Sequence, residues 1–129
     1  MKNYTSYDLI EWGKPFEKSQ HALPEPTLSE VLIRVTAAGL CHSDLHVQKG
    51  YMDLGEEGRL TFAERGAQLP MTFGHEIAGI VEAIGDKVKN VSIGQQVIVF
   101  PWIGCGDCLA CNEDREIDCS AMRLSLIHI

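Results

Sequence analysis

Four of the chain's five cysteines lie within fifteen positions, spaced Cys105-x2-Cys108-x2-Cys111-x7-Cys119. Four thiolates at about 2.3 Å satisfy a tetrahedral zinc ion, and two-residue spacers let neighbouring sulfurs converge on one ion without regular structure between them. Gly104 and Gly106 allow the tight backbone bends that such a lobe requires. A bacterial ferredoxin cluster opens with the same spacing but closes with a three-residue spacer and a proline. Here the last spacer is seven residues and Ser120 follows Cys119, so zinc is the better match. Asp107, Glu113, Asp114, Glu116 and Asp118 surround the quartet with only Arg115 opposed. A closed tetrathiolate centre of that charge holds structure and leaves no open position for substrate. A disulfide framework would instead spread an even number of cysteines along the chain.

The fifth cysteine stands apart, in Cys41-His42-Ser43-Asp44-Leu45-His46, and a second histidine lies in Gly74-His75-Glu76. Taken singly, a buried cysteine is a small core hydrophobe and a lone histidine is a hydrogen-bonding side chain. Taken together they offer thiolate, imidazole and carboxylate, the donor set of a catalytic zinc that keeps one position open.

The elements that must position these groups are short and mostly extended. Tyr7 to Trp12 reads as a β-run closed by Gly13-Lys14-Pro15, and Leu23-Pro24-Glu25-Pro26 as an extended connector. Val31 to Thr36, rich in branched residues, reads as a buried strand; Ile77 to Ile84 and Val97 to Phe100 read as two more. Ser43-Asp44 is expected to cap a short helix running through Gln48 and ended by Gly50. Residues 51–70 have weak periodicity and are expected to be mostly loop. The result is a mainly β domain, closer to a barrel than to a βαβ sheet.

With 129 residues, 45% of them hydrophobic and 22% charged, the chain suits one domain around one core. Its net charge of −7 lacks the basic footprint that phosphate backbones require, so no nucleic-acid partner is expected. The apolar runs are too short to span a bilayer, and Met1 to Ile10 lacks the apolar core of a secretory signal. A cytoplasmic location with reduced cysteines is therefore expected, with no membrane partner. The end, Leu124-Ser125-Leu126-Ile127-His128-Ile129, carries no turn or cap chemistry. The codons CTG TCT CTT ATA CAC ATC would encode it in order, and that run resembles a transposon end used in library preparation. Residues 124–129 are thus expected to be a non-native tail after a domain at 1–123, cut short near Arg123; a short natural β-tail is the alternative.

The joint pattern resembles the zinc-dependent medium-chain alcohol dehydrogenases, specifically their N-terminal GroES-like catalytic domain, and looks most like bacterial and archaeal members. The matching segments are Ala38-Gly39-Leu40-Cys41-His42-Ser43-Asp44-Leu45-His46, Leu69-Pro70-Met71-Thr72-Phe73-Gly74-His75-Glu76-Ile77-Ala78-Gly79, Gly85-Asp86-Lys87-Val88 and the quartet. The resemblance implies a GroES-like, partly open barrel with short helices and a four-cysteine zinc lobe. It implies oxidation of an alcohol to an aldehyde or ketone by zinc-alkoxide formation and hydride transfer to NAD or NADP. Cys41 and His75 match catalytic zinc ligands, and Glu76 matches an adjacent carboxylate able to join them. Ser43 falls where a relay hydroxyl sits, His46 where the proton passes to solvent, and His42 where the cofactor pyrophosphate is faced. Asp44 matches a carboxylate that orients the zinc-binding histidine, and Cys105, Cys108, Cys111 and Cys119 match the structural zinc site. Partners implied are a small alcohol or carbonyl substrate, with homo-oligomers among full-length relatives.

The chain departs from the family in two ways that matter. No Gly-x-Gly-x-x-Gly follows a strand, so the Rossmann cofactor domain is not represented, and the family's third protein ligand, a cysteine near the start of that domain, is missing. Ser29, where a glycine often precedes the strand, is a minor difference. These 129 residues alone are accordingly expected to be inactive. The competing reading is a stand-alone zinc-stabilised β-domain that binds a partner and catalyses nothing. A nucleic-acid-binding zinc module conflicts with the acidic lobe.

Overall fold

The computed structural model describes residues 2–124. The chain opens with an antiparallel pair, β1 (Asn3–Leu9) and β2 (Glu17–Ala22), and reaches β3 (Val31–Gly39) through the proline connector. Helix α1 (His42–Lys49) follows almost at once, then a hairpin of β4 (Tyr51–Asp53) and β5 (Arg59–Thr61). Short β6 (Met71–Thr72) returns to pair with β1, while β7 (Glu76–Ile84) and β8 (Gln96–Val99) extend the β3 sheet. The last segment carries β9 (Trp102–Ile103), the one-turn helix α2 (Leu109–Asn112) and β10 (Arg123–Leu124). Two three-stranded sheets, ordered β2-β1-β6 and β3-β7-β8, carry the fold, and the described residues form no closed barrel. No helix among them is long and apolar enough to cross a membrane.

Both sheets contribute to the core. Leu9, Met71, Ile77 and Val81 are buried, with Leu9 opposite Met71 across the β1–β6 ladder. In β7, Ile77, Gly79 and Val81 are buried while Glu76 and Glu82 are exposed, the period of two that a half-buried strand requires. Gly79 is a packing necessity. A Cβ there would lie 2.5 Å from Ile33 Cγ2 and 2.6 Å from the Arg34 carbonyl oxygen, on the partner strand.

Several expectations need correction. The first strand runs Asn3–Leu9 instead of Tyr7–Trp12, because its inward positions carry Ser6 and Asp8, which hydrogen-bond instead of packing as apolar side chains. The polar strand β2 pairs with β1 from Asn3↔Ala22 to Asp8↔Glu17 and carried no hydrophobic signal. The strand from Val31 is less buried than expected, with Val35 40% exposed, because β3 is an edge strand. Residues 51–70 are mostly loop, as expected, but hold the short β4–β5 hairpin, across which the Arg59 guanidinium covers the Tyr51 ring at 4.3 Å. Leu124, the first residue of the expected tail, pairs with Trp102, and Ser125 to Ile129 lie outside the described residues.

The Gly79 contact generates a stability prediction. Gly79→Ala forces β3 and β7 apart and is expected to destabilise the chain by about 1–3 kcal/mol, the range for overpacking. Urea denaturation followed by circular dichroism measures it, and an unchanged midpoint would contradict the packing argument.

Candidate functional site

Two donor clusters form where strands hand over to turns. At the first, β3 ends at Gly39 and the extended Cys41 becomes the N-cap of α1. The expected cap at Ser43-Asp44 is therefore displaced: the helix starts at His42, and Gly50 closes it in the left-handed region at φ 88°. Asp44 sits three residues past the cap and is buried, with Oδ2 accepting the Cys41 N–H at 3.0 Å. Its other oxygen, Oδ1, lies 3.2 Å from His75 Nδ1. One carboxylate thus holds the backbone at Cys41 and stands beside the ring of His75, where a proton on Nδ1 would leave Nε2 as the available lone pair.

Glu76 reaches the same place through strand register. It opens β7 directly opposite Gly39, and a Cβ on Gly39 would overlap the Glu76 carboxylate. Gly74 turns the chain into β7 at φ 98°, a left-handed conformation suited to glycine. Donor atoms of Cys41, His75 and Glu76 all lie within 4.8 Å of one another. Thiolate, imidazole and carboxylate, with a second carboxylate orienting the imidazole, fit a zinc ion that retains an open position.

The remaining predicted residues cluster less tightly. Ser43 Oγ is 3.5 Å from Cys41 Sγ, beside the donor set. His42 and His46, one turn apart on α1, pack ring against ring with centroids 4.8 Å apart. Ser43 and His46 do not hydrogen-bond each other among the described residues. Sequence reasoning missed Gly39 as a site residue, because its constraint comes from a register partner rather than from its neighbours.

The second cluster is the quartet. Sulfurs of Cys105, Cys108, Cys111 and Cys119 lie within 4.8 Å of one another. Cys108 caps α2, whose single turn brings Cys111 back, and a 3₁₀ turn over Glu116–Asp118 delivers the buried Cys119. Gly106 is left-handed at φ 83°, as the spacing suggested, whereas Gly104 is needed for space: a Cβ there would stand 2.5 Å from Cys111 Sγ. Arg115 is committed to Glu113 and Asp118, at 2.7 and 2.8 Å.

The thiols respond to each other. Backbone N–H groups of Asp107 and Cys108, helped by the Cys119 and Cys108 thiols, lower Cys105 to about 6. The Gly106 N–H pulls Cys111 down, but burial and the Cys108, Cys119 and Cys105 sulfurs outweigh it and push Cys111 up to about 12. Four sulfurs so close cannot all ionise without a cation among them, and the set fits a closed zinc centre. In the metal-free chain the Cys105 thiolate fraction grows as pH rises through about 6, while Cys111 remains a thiol until about 12. Iodoacetamide should therefore modify Cys105 well before Cys111 at neutral pH, resolved by peptide mass spectrometry. Equal rates would overturn this ordering.

Comparison with known proteins gives a consistent picture. A family model described as the alcohol dehydrogenase GroES-like domain matches residues 27–126. An NAD-dependent alcohol dehydrogenase of Sulfurisphaera tokodaii is 43% identical over 116 residues, covering 89% of this chain and 32% of the relative. Among solved structures, the alcohol dehydrogenase of the hyperthermophilic archaeon Aeropyrum pernix superposes with a TM-score of 0.78 at 27% identity, covering 98% of this chain and 34% of that one. An E. coli CFT073 enzyme, described as a short chain alcohol dehydrogenase complexed with NADH, gives 0.76 at 25% identity over 98% and 33%. The chain spans about a third of the length of the curated relatives it matches. With the family model covering most of its length and both donor clusters formed, the chain belongs to the alcohol dehydrogenase GroES-like domain family.

Proposed function

We propose that these residues form the substrate-activating part of a zinc-dependent, NAD(P)-linked alcohol dehydrogenase that oxidises a small primary or secondary alcohol to a carbonyl compound. The observation that carries the reading is the convergence of Cys41, His75 and Glu76 around an imidazole held by the buried Asp44. Cys41 and His75 would hold a catalytic zinc ion, with Glu76 close enough to join them. Zinc supplies Lewis acidity toward the alcohol and a nicotinamide supplies the hydride acceptor.

The chain's own groups do the rest. Asp44, 3.2 Å from His75 Nδ1, would keep the ring proton on that nitrogen and leave the Nε2 lone pair for a metal ion. The Ser43 hydroxyl, beside the Cys41 sulfur, both accepts and donates a proton, and His46 is the nearby group suited to pass it to solvent. No hydrogen bond joins the two among the described residues, so the path would pass through a bridging hydroxyl. His42, exposed at the start of α1, would face a cofactor pyrophosphate. The quartet would hold a second, structural zinc. Reduced thiols at both centres suit a cytoplasmic setting. Residues 1–129 contain no glycine fingerprint for a dinucleotide, and this chain alone is proposed to be inactive.

Zinc counting by elemental mass spectrometry tests the assignment. Cys105→Ser with Cys108→Ser should remove one zinc per chain and Cys41→Ser the other, each without disturbing its counterpart. Retention of all zinc in Cys41→Ser would remove the basis for the enzyme reading and favour a metal-stabilised binding module. In the full-length enzyme, Asp44→Asn should weaken catalytic zinc affinity about 10- to 100-fold, the usual cost of losing an orienting partner. Alcohol-dependent NADH formation should fall in step, and a wild-type rate at limiting zinc would contradict the role of Asp44.

A further inference from the structure

His75 is held at its ring by Asp44, but its backbone must also be fixed, and the segment leading to it is short. Strand β6 has only two residues, paired Leu9↔Met71 and Asp8↔Thr72, and Gly74 then turns the chain into His75. Asp8 adds a side-chain tie at this point. Its carboxylate, only 3% exposed, accepts the Thr72 hydroxyl at 2.7 Å through Oδ1. The other oxygen lies 3.2 Å from His21 Nε2, which is also 2.9 Å from the buried Ser6 hydroxyl. Phe73 packs on Phe16 with ring centroids 4.7 Å apart, a second anchor on the residue after Thr72.

A buried carboxylate is costly unless it is well satisfied. Burial pushes Asp8 up, yet hydrogen bonds from Thr72, Ser19, Ser6 and His21 outweigh it and hold the carboxyl below its ordinary value. The group is therefore an anion at neutral pH, and a hydroxyl bonded to an anion makes a stronger tie than a neutral pair.

We propose that Asp8, acting through the Thr72 hydroxyl, is a positioning residue for His75 that sets the metal affinity of the Cys41–His75–Glu76 cluster. The proposal rests on the reading of that cluster as a metal site. Asp8 touches neither metal nor substrate; it fixes the start of the four-residue path Thr72-Phe73-Gly74-His75. Asp44 fixes the other end, at the ring. Together they confine the imidazole from both sides of its Cα.

Cobalt(II) titration of the 129-residue chain, followed by visible absorption, tests this. Bands lost in Cys41→Ser and in His75→Ala report the candidate catalytic cluster, and the stronger thiolate bands that remain report the quartet as an internal control for folding. Thr72→Val should weaken cobalt binding at the first cluster about tenfold, the low end of the cost of losing an outer partner of a metal ligand, and leave the quartet unchanged. Asp8→Asn should weaken it in the same direction, and Thr72→Ser, which keeps the hydroxyl, should restore wild-type affinity. Wild-type affinity in both Thr72→Val and Asp8→Asn would overturn the positioning role. So would loss of the quartet bands in both, which would make the pair a requirement of folding. If instead Cys41→Ser and His75→Ala leave cobalt uptake intact, the metal reading itself fails and the positioning role falls with it.

Discussion

The Asp44 carboxylate joins two segments that are distant in sequence. With one oxygen it accepts the N–H of Cys41 and with the other it meets His75 Nδ1, so the end of β3 and the entry to β7 are tied through the first turn of α1. That arrangement depends on burial: at 7% exposure the carboxylate has little water to compete for its hydrogen bonds, and its two partners satisfy it. Without it, Cys41 would still cap a helix and His75 would still follow Gly74, but the direct tie between the two segments would be lost.

The β3–β7 ladder supplies the remaining alignment. Because Gly39 faces Glu76, the carboxylate folds over a position with no side chain and points toward Cys41 and His75. A ladder shifted by one residue would send Glu76 to the other face, since successive strand residues alternate. Gly79, wedged against Ile33 and Arg34, allows the two strands to approach closely enough to keep that register. The candidate centre is thus a consequence of sheet packing as much as of its donor residues.

The described part of the chain buries few large apolar side chains completely, and much of its order comes from polar groups and sulfur. Asp8 and Ser6 occupy inward positions of β1, where a larger domain would place branched hydrophobes. Cys119 is buried in the cysteine lobe, where backbone N–H groups chiefly draw Cys105 down while burial and the neighbouring sulfurs push Cys111 up. A cation among them would relieve that conflict and cross-link the lobe, as structural zinc does in small domains.

Local spacing alone revealed the donor types, the quartet and the strands at Val31, Ile77 and Val97, because β-branched runs and closely spaced cysteines declare themselves within a few residues. Asp44 read locally only as part of a helix cap, a place that Cys41 takes, and its link to the zinc-binding histidine came from the family resemblance alone. The sequence could not disclose β2, whose polar side chains pair with β1 through backbone hydrogen bonds that any residue but proline makes, nor the β4–β5 hairpin, which lacks clear alternation. Nor could it show that Ser43 faces the Cys41 sulfur while His46 packs on His42, or that Gly39 makes room for Glu76. Those facts depend on helix rotation and strand register, which are decided by packing between residues far apart in the chain. Sequence determined which chemical groups were available, and tertiary structure decided which of them meet.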